Sequence, residues 1–113
     1  MLMHTVIETP SYIAAAKDAG MSADEMAAVV NTIAANPEAG GIMPDCGGAR
    51  KLRVAKPCKG KLGAYRVITY YAGTALPTFL LTVFGKGEKV SLTQAERNAL
   101  AGLTKRLTDT LTR

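Results

Sequence analysis

The sequence predicts an α+β domain in which an N-terminal strand and two helices pack on an antiparallel β-sheet, and a further helix closes the chain. Three observations carry that prediction. Apolar residues recur at helical spacing in the first third of the chain and alternate at strand spacing in the middle. The helical and strand segments are grouped and joined by short links, as expected when helices are segregated to one face of a sheet. The 113 residues are 48% hydrophobic with four Tyr, two Phe and no Trp. That supports one domain with a mostly aliphatic core that needs no disulfide or metal.

Taken in order, "HTVIET" (residues 4–9) alternates apolar and polar side chains and is rich in β-branched residues, which predicts the first strand. Thr9 followed by Pro10 reads as an N-cap with proline at the first helical position, opening an Ala-rich helix that ends at Gly20. Ser22 and Glu25 form a capping box before an apolar face of Met26, Val29, Val30 and Ile33, and that helix ends near Asn36 and Pro37. Residues 38–48, "EAGGIMPDCGG", read as a glycine-rich loop. "RKLRVAK", "YRVITYYAG" and "PTFLLTVFG" follow as three strands, with β-branched or aromatic enrichment and turn residues between them. A second capping box, Thr93 and Glu96, opens the last helix, whose Leu100, Leu103, Leu107 and Leu111 fall on one stripe.

Charge is distributed unevenly along this frame. Residues 1–49 hold one basic residue, Lys17, and six acids. "RKLRVAKPCKGKLGAYR", residues 50–66, holds seven of the fourteen basic residues and no acid. Such a block calls for a polyanion, either nucleic acid or a membrane surface. Membrane binding needs an amphipathic helix or a lipid anchor, and Pro57, Gly60 and Gly63 forbid a helix here. Runs such as Leu80 to Phe84 are also far shorter than the roughly 20 apolar residues of a membrane span. Nucleic acid is therefore the expected partner. The start, "MLMHTVIETP", lacks the marks of a secretion signal, so the expected location is cytoplasmic. Cys46, Cys58 and the single histidine, His4, show no metal-ligand spacing. Reduced thiols, no metal and no cofactor are expected.

Strand alternation predicts where the charge points. Lys51 and Arg53 share one side, while Leu52 and Val54 face the helices. Arg66 shares a side with Ile68 and Tyr70, opposite Val67, Thr69 and Tyr71. On the last strand Thr82, Phe84 and Lys86 lie opposite Leu81 and Val83. With aligned registers, Lys51, Arg53, Arg66 and Lys86 converge on the sheet face that the first two helices leave uncovered. Lys56, Lys59 and Lys61 rim it, and Arg50 adds to the charge. Tyr70 and Phe84 are the candidate platforms for stacking an unpaired base.

"NPEAGGIMPDCGGARKLRVAKPCKGKLGAYRVITYY" followed by "FLLTVFGKGEKVSLTQAE" resembles the HigB-like branch of the RelE/ParE toxin superfamily. The shared pattern is Asn-Pro-x-Ala-Gly, Gly-Gly-x-Arg-Lys-x-Arg, a glycine-rich basic loop, Arg-Val-Ile with a run of tyrosines, and an aromatic and a lysine before Leu-Thr. The likeness runs from about residue 36 to residue 96. It implies a RelE-like fold and the toxin of a type II toxin-antitoxin system, a ribosome-dependent endoribonuclease (an mRNA interferase) that inhibits translation. The implied partners are mRNA on the ribosome and a cognate antitoxin, expected to be a helix-turn-helix DNA-binding protein. Carried over by position, Lys51, Arg53 and Arg66 fall on the basic active-site strands and Lys86 on the end of the late strand. Phe84 stands where relatives often have tyrosine, so stacking is retained but a hydroxyl is not.

The chemistry of such a site follows from its residue types. Attack of a 2′-OH on its own phosphate needs a base for the hydroxyl, an acid for the leaving 5′-oxygen, and cations for the charge that builds on phosphorus. Arginine stays protonated and clamps phosphate, a preorganised role suited to Arg53 and Arg66. A lysine among cations can give up its proton. This makes Lys51, between Arg50 and Arg53, the candidate base, with Lys86 assisting the leaving group and Glu88 the alternative base. His4, among apolar neighbours on the first strand, reads as a surface or core-edge residue. A ParE-like gyrase poison and a non-catalytic RNA-binding module remain as alternative readings, and retention of Lys51, Arg53 and Arg66 together favours the nuclease.

Overall fold

A computed structural model describes residues 4–55, 64–73, 75–85 and 92–111. The elements run β1 (Val6–Glu8), α1 (Pro10–Asp18), α2 (Ala23–Ala35), β2 (Gly41–Ile42), β3 (Arg50–Ala55), β4 (Ala64–Tyr70), β5 (Thr78–Gly85) and α3 (Gln94–Leu111).

Each helix begins where the local hydrogen-bonding chemistry says it should. The Tyr12 amide donates to Thr9 Oγ1 at 3.2 Å, and the same hydroxyl donates to the Leu80 carbonyl at 2.8 Å. One threonine thus caps α1 and fastens it to β5. Ser22 and Glu25 form the reciprocal capping box of α2, with bonds of 2.8 and 3.1 Å. Thr93 and Glu96 do the same for α3, at 2.9 and 3.1 Å. Gly20, at φ +80°, supplies the left-handed residue that ends α1.

The sheet has five strands in the order β1-β5-β4-β3-β2. Strands β2 to β5 pair antiparallel in sequence order, but β1 pairs with β5 in parallel. The sheet is therefore mixed, which corrects the expectation of an antiparallel one. A hairpin imposes antiparallel pairing on the strands it joins. β1 and β5 are joined by no hairpin, and β1 enters from the far end of the α1 and α2 excursion. The second correction is β2, which lies inside the segment expected to be a loop. Gly40, at φ +92°, allows it: a Cβ there would sit 2.7 Å from the Lys51 carbonyl oxygen.

Two apolar clusters hold the sheet. Tyr12, Val29 and Ile33 of α1 and α2 pack on Tyr65, Val67, Leu80 and Val83, with Leu52 and Val54 at the margin. The Tyr65 hydroxyl reaches on to the Glu25 carboxylate at 3.3 Å. On the opposite face Ile68, Phe79, Leu81 and Phe84 are buried under Leu100, Leu103 and Leu107 of α3. Helices thus lie on both faces, rather than on one as expected. Leu81 is on the Phe84 side rather than beside Val83, because the register jumps from Ile68↔Thr82 to Thr69↔Leu80. The extra residue in β5 is a bulge, and it inverts the alternation on one side of it.

The turn between β2 and β3 is bound tightly to α3. Asp45, Gly47 and Gly48 all have positive φ. A Cβ on Gly47 would collide with Thr104 Oγ1 and lie 2.9 Å from Ala101 Cα. Cys46, carried by this turn, is a buried free thiol in the second cluster. Burial pushes its pKa up, with nearby Arg97 acting in the opposite sense and Asp45 in the same one. His4 is half-buried, its ring edge-on to Tyr71 with centroids 5.3 Å apart. Among the described residues no helix is long and apolar enough to cross a membrane.

Candidate nucleic-acid interface

β3 and β4 run through the middle of the sheet, and their register decides which cations meet. Lys51 pairs with Ile68, and Arg53 pairs directly with Arg66. Arg66 in turn pairs with Phe84 on β5. Directly paired residues project to the same face, so Lys51, Arg53 and Arg66 stand together on the face opposite α1 and α2. Arg53 is exposed, and Lys51 and Arg66 are half-buried.

The arrangement is electrostatically expensive in the free protein. Like charges directly opposite on neighbouring strands repel, with Cβ atoms held about 5 Å apart. Among the described residues no carboxylate forms an ion pair with Lys51, Arg53 or Arg66; the pair Lys105–Asp109 lies on exposed α3 surface. Arg66 Nη1 is buried and has no hydrogen-bond partner among those residues. Leaving such a donor unsatisfied costs about 1–3 kcal/mol, and more when it is charged. An anionic oxygen would recover that loss once the guanidinium turns outward to meet it.

The remaining candidates divide. Arg50 projects to the other face of β3, where Nη1 donates to the Glu38 carbonyl at 3.0 Å and more weakly to Gly40 at 3.4 Å. It braces the segment leading into β2 and does not join the cationic face. Tyr70 is half-buried against the second cluster, and its hydroxyl shares a hydrogen bond with Thr108. Its ring is packed between Gly48 and α3 instead of being offered to a base. Phe84 is only 7% exposed, and α3 covers the ring that was expected to stack freely. Lys56, Lys59, Lys61, Lys86, Glu88 and Cys58 lie outside the described residues. Among the described residues no three His, Cys, Asp or Glu side chains gather as a metal site.

One cation was not singled out by the sequence. Arg97, in the first turns of α3, donates from Nη1 to the Pro44 carbonyl at 3.2 Å and weakly from Nε to the Leu92 carbonyl at 3.4 Å. With Lys51 and Phe84 it lines a cleft of about 260 Å³. A signal was present. A cation near a helix N-terminus opposes the helix dipole, and Arg97 follows Glu96 of the capping box directly. The cleft is continuous with the cationic face through Lys51 and through the Arg66↔Phe84 pair. Together these groups can bind successive phosphates of one strand along β3 and β4 and hold a single residue of that strand beside them. No protein-family model matches the chain.

Proposed function

We propose that this chain is the toxin of a type II toxin-antitoxin pair, a ribosome-dependent endoribonuclease that cuts mRNA by attack of a 2′-OH on the adjacent phosphate. The observation that carries the reading is the opposed pair Arg53 and Arg66, with a buried Arg66 donor left without a partner among the described residues. Two cations fixed on adjacent strands form a preorganised cradle for a phosphate whose charge grows in the transition state. A solvated decorative charge would not be buried and unsatisfied.

The mixed five-stranded sheet, with two helices on one face and the C-terminal helix on the other, is compatible with a RelE-like fold. Among the described residues Lys51 is the only lysine in the sheet. It is accordingly the amine that this face offers for acid–base work, a role guanidinium groups do not fill. In the proposed reaction a neutral Lys51 amine takes the proton of the 2′-OH, and the 2′-oxygen bonds to phosphorus as the bond to the 5′-oxygen breaks. The leaving 5′-oxygen takes a proton from Lys86 or water, and Arg53 and Arg66 hold the phosphate. The ribosome contributes by delivering a strand already bent toward in-line attack, which lowers the demand on the site's own acid and base.

The test is induced expression followed by primer extension on a reporter transcript, comparing wild type, Lys51→Arg and Arg66→Ala. Cuts at ribosome-occupied codons are expected. Lys51→Arg keeps the charge but removes the base, and should lower cleavage about 10²–10⁴-fold while ribosome binding persists. Full cleavage by Lys51→Arg would make Lys51 a phosphate contact only. DNA breaks with intact transcripts would replace the nuclease by a gyrase poison, and binding with neither outcome would leave an RNA-binding module.

A further inference from the structure

We infer that the cleft between Lys51 and Arg97 is a nucleotide subsite, taking one base with its phosphate and giving the protein a preference among RNA sequences. The inference deepens the RNA reading above and rests on it. Two cations line the cleft, Lys51 from β3 and Arg97 from α3, and among the described residues its lining contains no acid. The apolar part of its lining comes from Met43, Pro44, Phe84 and Leu92. A volume of about 260 Å³ falls just below the ~300 Å³ at which small-molecule pockets usually begin. It suits one planar base and excludes an oligonucleotide.

The position relative to the cationic face gives the subsite its role. Phe84 is the register partner of Arg66, so the cleft begins one strand away from the proposed phosphate cradle. A strand whose phosphate lies on Arg53 and Arg66 can place a neighbouring residue in the cleft. There the apolar walls take the base, and Arg97 takes the next phosphate. Arg97 is held in place by the Pro44 carbonyl, so it is fixed before the ligand arrives. Bases differ in shape and edge groups, and a walled cleft discriminates among them where an open charged face does not.

Gly41 offers a way to close the cleft without touching its charges. It pairs with Lys51, so a side chain there projects to the same face, and a Cβ on it meets nothing within 4 Å. Gly41→Leu therefore plugs the cleft from its β2 side. The experiment is an NMR titration of the full chain with each of the four nucleoside 5′-monophosphates and with inorganic phosphate, following the Met43 and Leu92 methyl signals. The four nucleotides should shift these signals with unequal affinities, and each should bind more tightly than phosphate. Arg97→Ala should weaken binding about tenfold, the size of one lost charge-assisted hydrogen bond. Gly41→Leu should abolish the methyl shifts, while Lys17→Ala, exposed on α1 across the sheet, should leave nucleotide affinity unchanged. Unshifted methyls at millimolar nucleotide, equal affinity for all nucleotides and phosphate, or binding that survives the Gly41→Leu plug would each overturn the subsite. Amide spectra of the variants confirm that they are folded, and Gly41→Leu retains Arg97 should Arg97→Ala loosen the turn. Transcript cleavage is scored separately. A filled cleft with no cleavage would refute the nuclease and leave the subsite, and cleavage with an empty cleft would do the reverse.

Discussion

Replacing Gly47 with alanine should be among the most damaging single-methyl changes in the chain, and the structure separates its two causes. Gly47 has φ +68°, where an L-residue with a Cβ costs about 1–2 kcal/mol. The added Cβ would also collide with Thr104 Oγ1 and lie 2.9 Å from Ala101 Cα. The threonine is 1% exposed and the second atom is helix backbone, so neither can step aside cheaply. Overpacking of this kind costs about 1–3 kcal/mol. The sum, about 2–5 kcal/mol, is a large part of the 5–15 kcal/mol that holds a small domain together. Gly20 is the control, since it has φ +80° but a Cβ there meets nothing within 4 Å. Gly20→Ala should therefore cost only the conformational part, about 1–2 kcal/mol. Urea unfolding followed by far-UV circular dichroism measures both variants. A Gly47→Ala loss no greater than that of Gly20→Ala would refute the close approach of this turn to α3, and with it the placement of Arg97 at the cleft.

The other predictions concern a buried phenol and the charged face. Tyr12 is fully buried, its hydroxyl has no hydrogen-bond partner among the described residues, and burial, followed by the nearby Glu8 charge, raises its pKa to about 12. The neutral form is favoured in the folded state, so stability is fully present below pH 10 and falls as pH rises toward 12, by about 1.4 kcal/mol per unit of pKa difference. Tyr12→Phe should be close to neutral at pH 7 and should remove that alkaline loss, as read by urea unfolding at pH 8 and pH 11; an unchanged alkaline slope would contradict it. RNA affinity should fall steeply with salt, and Arg53→Ala should reduce the log–log slope by about one, the contribution of one phosphate contact. Filter binding across a salt series measures this, and an unaltered slope would move the phosphate path off β3.

What the sequence made legible was whatever is decided locally. Thr9, Ser22 and Thr93 announce their helices because a cap is a bond between residues three positions apart. The faces of Lys51, Arg53 and Arg66 were equally readable, since period-two alternation holds along an uninterrupted strand. What escaped depends on distant partners. The bulge at Leu81 arises from pairing with β4, so alternation read along β5 alone put that residue on the wrong face. The parallel entry of β1 depends on which edge remains free after the other strands have paired. Arg50 sits in the same basic run as Lys51, yet the carbonyls of residues 38 and 40 claim it. Arg97 lies far along the chain and becomes a neighbour of Lys51 only because the turn at Gly47 draws α3 against the sheet.

Among the described residues the same face of the sheet is covered by α3 at one end and not at the other, and the residue types on it explain the division. Where β4 and β5 present Ile68, Phe79, Leu81 and Phe84, α3 lays its leucine stripe and excludes water. Where β3 and β4 present Lys51, Arg53 and Arg66, a leucine-faced helix has nothing to bury against and would desolvate unpaired cations, which is far costlier than leaving the surface open. The cations thus help to set the limit of the helix as well as to provide charge. β3 serves both purposes because its alternate residues, Leu52 and Val54, anchor it in the first cluster. A strand buried on one face cannot slip its register without exposing that face. The spacing of Lys51 and Arg53 against Arg66 is held by the core beneath them, which is the rigidity a preorganised phosphate cradle requires.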